Sequence, residues 1–172
     1  MKVPTFKSSD QFTSKKILTF LNEAQKQEYR RKLLWHGFFL FIIGCITITF
    51  FPLYTNPNAA LAAHKLGLML GAFLMSVGLT FSHLQFSKTL AFLTFWLLII
   101  TAYIGLGGQI LAAIFGLTKG FPFSGIGASG GPAWMEISVD VANKTIGGLL
   151  LLACGFILFG LRPIKSNPPL SS

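Results

Sequence analysis

The sequence predicts an all-α integral membrane protein, a four-transmembrane-helix bundle preceded by an N-terminal cytoplasmic amphipathic helix. Three observations carry that prediction. Of the 172 residues, 52% are hydrophobic and only 11% charged, less than half the ~25% charged share of ordinary soluble domains. Glycine and phenylalanine each occur 18 times, and a glycine-rich, charge-poor balance is what lets helices approach closely in lipid. Four apolar runs follow one another between turn residues, each supplying the ~20 residues that cross a bilayer core at 1.5 Å rise per residue.

Residues 1–14 are polar and rich in Ser, Thr and Lys. From Lys15 to Lys32 a helix is expected, with Ser14 as its N-cap and Ile17, Leu21 and Ala24 on one face. It is too polar to span and so lies on the membrane surface or under the bundle. Residues 1–32 thus form a basic cytoplasmic segment, too long in its charged part for a cleavable signal peptide. The first span is Leu33–Tyr54, closed by Pro52 and the Asn56-Pro57 turn. The second is Ala62–Phe81, the third Thr89–Phe115 and the fourth Trp134–Leu161, giving a transmembrane domain over 33–162 and a tail over 163–172.

Charge placement sets the orientation. Eight of the 14 Lys and Arg residues lie in the first 32 positions: Lys2, Lys7, Lys15, Lys16, Lys26, Arg30, Arg31 and Lys32. Lys88, Arg162 and Lys165 fall on the same side, against Lys65 and Lys119 on the other. Both termini are therefore expected in the cytoplasm of a bacterial inner (plasma) membrane, with the basic segment touching anionic lipids. No base-reading motif accompanies the charge, so nucleic acid is not an expected partner. Cys45 and Cys154 sit inside apolar runs and read as small packing residues.

The one long connection is GLTKGFPFSGIGASGGPAW, residues 116–134. Its GIGASG formally fits G-x-G-x-x-G, but that fingerprint needs a βαβ unit and there is no room for one between two spans. The loop is expected to be a flexible turn, ending where Pro132 opens the fourth helix and Trp134 meets the interface.

Polar groups inside apolar helices are costly, which makes each a candidate site. On the fourth span Glu136, Asp140 and Lys144 recur every four residues and read as a ladder of side-chain pairs. Asn143 starts a formal N-x-T sequon, discounted at a span edge. The third span carries a small and polar stripe of Thr101, Gly105, Gly108, Gln109 and Ala112. Close helix crossing explains the glycines, whereas Gln109 requires a partner or a ligand. On the second span His64, Gly67, Leu68 and Gly71 share one face. His64 is either a satisfied interfacial histidine or a metal or haem ligand standing above a face cleared by the two glycines. His36 opens the first span and His83 closes the second, about 28 Å along the helix from His64. Neither reaches an iron held by His64 in the same subunit, so such an iron would be five-coordinate and open.

The runs RRKLLWHGFFLFIIG, NPNAALAAHKLGLMLGAFL and TFWLLIITAYIGLGGQILAAIFG, then the glycine-rich loop and AWME, resemble the small four-span hydroxylaminobenzene mutases and, more distantly, styrene oxide isomerase, over about residues 31–162. The resemblance implies a membrane-embedded homotrimer holding haem b between subunits, with His64 as axial ligand and Gly67 and Gly71 beside the cofactor. It implies an iron acting as Lewis acid on a small hydrophobic oxygenated substrate, an isomerisation without net redox change. Leu70, Tyr103, Gly105 and Gln109 then line the pocket. The chain departs from the family at three of these: Leu70 and Gly105 stand where the family has asparagines, and Gln109 where the isomerase has its substrate-orienting tyrosine. Those departures leave two other readings open: a haem-binding sensor or carrier without isomerase activity, and a haem-free oligomeric subunit that docks on a larger membrane complex.

Overall fold

In the computed structural model, residues 20–162 are described, and every long element among them is helical. Four helices are long and apolar enough to cross a membrane: α1 (Glu23–Thr49), α2 (Pro57–Thr80), α3 (Lys88–Phe115) and α4 (Ala133–Gly160). The last two begin and end within a residue of the expected limits, and α2 ends as expected but begins at Pro57, five residues before the expected Ala62. The first departs further. Ser14 and the start of the expected surface helix lie outside the described residues, but at Phe20–Asn22 the chain is not helical. Phe20 instead bridges to Ser87, and Leu21 N–H donates to Phe86 O. The helix then starts at an Asn22 cap, where Asn22 and Gln25 exchange side-chain-to-backbone hydrogen bonds. From there Glu23–Lys32 runs without a break into the first span. A 27-residue helix is about 40 Å long, and its charged turns lie against the bundle: Lys26 Nζ donates to Ser82 O (3.3 Å), and Tyr29 packs on Phe81 and Phe95. Ion pairs Lys26–Glu23 (2.9 Å) and Lys32–Glu28 (2.6 Å) run along these turns.

The tightest joint in the molecule is between α1 and α2. Gly37 and Gly44 on α1 face Gly71 and Gly67 on α2. A methyl group added to Gly67 would lie 2.7 Å from Gly44 Cα, and one on Gly71 2.7 Å from Gly37 O. Those distances are below any real carbon contact, so only glycine allows the two backbones this approach. The space that Gly67 and Gly71 were expected to clear for a macrocycle is therefore filled by α1. Leu33, Leu40, Leu74, Phe81 and Leu98 build the main core where α1, α2 and α3 meet.

The fourth helix is held differently. It packs mainly on α3, and its buried residues are only Glu136, Val139, Asp140, Ala153 and Gly160. Each end is clasped by a connection. At the basic end, Gln85 N–H donates to Gly160 O (2.9 Å), and Phe86 presses on Gly160. At the opposite end, the 116–131 loop covers the helices.

Candidate functional site

The loop is an ordered cap rather than the expected flexible turn. Gly116 ends α3 in the left-handed conformation (φ 68°), a helix stop that favours glycine. The buried carboxylate of Glu136 then gathers the loop: Thr118 N–H (2.9 Å), Lys119 N–H (2.6 Å), Gly131 N–H (3.0 Å) and the Thr118 hydroxyl (3.3 Å) all donate to it. Glu136 is thus no rung of the expected ladder, which reduces to Lys144–Asp140 at 2.8 Å. Asn56, buried at 2% exposure, caps α2 by accepting from Ala59 N–H and donates to Ser124 O at 2.8 Å. Asn58 reaches Ile126 O.

Under this cap, α2, α3 and α4 diverge around a cavity of about 370 Å³. Leu66 and Leu70 line it from α2, Thr101, Gly105 and Gln109 from α3, and Asn143, Ile146, Gly147 and Leu150 from α4. Gly120 and Phe121 form the roof. Its size suits a small organic molecule. The Thr101 hydroxyl is committed to its own helix, donating to Leu97 O at 2.6 Å. Gln109 Nε2 donates to Ser124 Oγ (2.8 Å) and Ala59 O (3.4 Å). The carbonyl acceptor at Ala59 places the amide nitrogen on that side, which leaves Oε1 without a partner among the described residues. Asn143 also makes no side-chain hydrogen bond among them; its Oδ1 lies over Gly108 on α3, and its amide is uncommitted at the cavity wall.

The predicted pocket residues divide between two places. Leu70, Gly105 and Gln109 meet in the cavity. Tyr103 does not: two residues from Gly105, it sits roughly 200° around the helix and its hydroxyl bonds His36 Nδ1 at 2.9 Å. His36 was expected at the membrane face, but α1 starts ten residues earlier than the expected span, so His36 lies midway along it. There it packs with Trp35, Phe95 and Tyr103. Asn143 was overlooked, although Asn143, Ile146, Gly147 and Leu150 follow the i, i+3, i+4, i+7 spacing of one inward face.

His64 stands on the α1 side of α2. Its Nδ1 lies 2.8 Å from Gly44 O, a backbone oxygen brought within reach because Gly67 carries no side chain. Leu66 and Leu70 are two and six residues on, so their cavity face is roughly 120–160° away around the helix.

These features define a class: a four-span helical membrane protein with a small, mainly apolar cavity beneath a loop pinned by hydrogen bonds. The sequence profile of the styrene oxide isomerase family matches residues 29–162, and the chain belongs to that family. It is similar to two proteins of Ectopseudomonas oleovorans. With hydroxylaminobenzene mutase HabB it shares 27% identity over 139 residues, 80% of this chain and 85% of the relative. With hydroxylaminobenzene mutase HabA it shares 35% over 80 residues, 46% of this chain and 59% of the relative. No solved structure matches the chain significantly. The family and the four apolar helices together make this an isomerase-like, multi-pass membrane protein.

Proposed function

We propose that the protein is a haem b-dependent isomerase acting on a small hydrophobic oxygenated molecule, with His64 as the residue that would hold the haem iron. The observation that carries the reading is the hydrogen bond of His64. Gly44 O can only accept, so Nδ1 holds the proton and Nε2 carries the lone pair. That is the tautomer a metal needs, and a carbonyl behind the ring is a common support for a ligating imidazole. The residues present therefore fit the group. Gly67 and Gly71 serve it indirectly, by letting α1 come close enough for Gly44 O to orient the ring. When bound, the haem supplies a Lewis acid toward a substrate oxygen.

The residues of the chain do the rest. Asn143 offers a donor to the substrate oxygen, Gln109 Oε1 an acceptor, and the apolar walls under the loop take the hydrocarbon part of the substrate. Because His64 and the cavity occupy different faces of α2, His64 of one copy serves the cavity of a neighbour. The homotrimer supplies that neighbour.

Detergent-purified protein should show a Soret band that His64→Ala abolishes, together with His64-dependent rearrangement of styrene oxide or hydroxylaminobenzene. Absence of the band, or a band unchanged in His64→Ala, overturns the proposal. A second reading, haem binding without rearrangement, is favoured by one feature: the Gln109 amide nitrogen is already committed to Ser124 and Ala59. A His64-dependent Soret band with no turnover of either compound would select it.

A further inference from the structure

We propose that the groove between α3 and α4 at the basic end of the bundle is a binding site for one anionic phospholipid. The groove, about 380 Å³, is walled by Leu90, Leu93, Phe156 and Phe159, with Ser87 and Thr89 at its mouth. It belongs to neither the capped cavity nor the His64 face. Its lining is mainly apolar and suits an acyl chain, with only the hydroxyls of Ser87 and Thr89 polar. The cations stand beside the groove rather than in its lining. The Arg162 guanidinium lies 4.3 Å from the centre of the Phe159 ring, which holds it over one wall. Lys88 is exposed on the first turn of α3, next in the chain to the lining residues Ser87 and Thr89.

Charge complementarity identifies the occupant. Neither Lys88 nor Arg162 pairs with a carboxylate among the described residues; the three ion pairs there involve Lys26, Lys32 and Lys144. Two cations at the ends of 28-residue helices, each about 42 Å long, fall at headgroup depth. A planar guanidinium takes two phosphate oxygens at once, and the lysine adds a point charge. The Thr89 hydroxyl has no partner among the described residues and is free to donate to the same headgroup. The clasp of Gln85 on Gly160 and Arg162 O (2.9 and 3.2 Å) fixes the two walls relative to each other, so the groove is preformed.

The test is native mass spectrometry of the full chain released from nanodiscs containing equal phosphatidylglycerol and phosphatidylcholine. The expected result is about one retained phosphatidylglycerol per protomer. In Lys88→Gln/Arg162→Gln its preference over phosphatidylcholine should fall about fivefold per charge removed. Leu93→Trp, which fills the groove without changing charge, should displace the lipid and serves if the double variant does not fold. Equal retention of both lipids by the wild type, or wild-type preference in Leu93→Trp, overturns the proposal. So does loss of the preference in Lys26→Gln/Arg30→Gln, which would put the lipid on the first turns of α1.

Discussion

Between α1 and α2, Gly44 and Gly67 meet backbone to backbone, whereas on α4 Gly147, Gly148 and Gly155 have nothing within 4 Å of where a side chain would begin. The residue type is the same and the consequence opposite. In the first pair glycine removes the last obstacle to contact, so the helices bind through their main chains along the whole seam. In the outer half of the molecule it leaves room, which the cavity uses at Gly147. The closed pair is held by its own seam; the open pair is held by its ends, through the Glu136 loop and the Gln85 clasp.

Substitutions can separate the two regimes. Gly67→Leu should have the largest effect, ~3 kcal/mol or more of destabilisation, because the obstacle is backbone that cannot swing aside. Gly155→Leu should change thermal unfolding in detergent by less than ~0.5 kcal/mol, and comparable losses from both would erase the distinction. Glu136→Gln should cost about 2 kcal/mol, since a charged acceptor of three backbone amides becomes neutral and gives up one of its oxygens. Limited proteolysis should show new cleavage within 117–131 while the α1–α2 half stays intact. Gln109→Leu should cost about 1 kcal/mol by releasing Ser124, and cavity-ligand affinity should change more than the melting temperature does. Lys144→Ala should be nearly silent, between 0 and ~1 kcal/mol, because its partner Asp140 is buried but the ammonium is exposed.

The parts legible in the sequence are those governed by hydropathy and spacing. The limits of α3 and α4 and the end of α2 follow from where the apolar runs stop, and the cavity side of α3 follows from the Gly105–Gln109 stripe; the start of α2 lies five residues before the apolar run, at the Asn56-Pro57 turn. The start of α1 was hidden because a charged stretch and an apolar stretch form one helix, and hydropathy marks only the part in lipid. What Gly67 and Gly71 face was hidden for another reason. A G-x-x-x-G face announces a close neighbour without saying whether it is a helix or a ligand, and here α1 takes the place. Tyr103 joins Gly105 in the pocket only through the family resemblance, and helix geometry separates them, because two residues along a helix point nearly opposite ways. Asn143 draws notice only as a formal sequon, discounted at a span edge; its register with Ile146 and Leu150 is what places it at the cavity. The ordered loop depends on Glu136 reaching back 17 and 18 residues, a contact without local spacing.

The bond from His64 to Gly44 has an evolutionary side. Its acceptor is a main-chain oxygen, so no exchange of side chain at a facing position can delete the acceptor or trade it for a carboxylate. Drift can alter the ring's orientation only by moving the α1 backbone, and any bulk at Gly44 or Gly67 that would do so also breaks the tightest joint in the fold. Selection for stability alone therefore preserves the orientation of His64, whichever side chains line the cavity on the other face of α2.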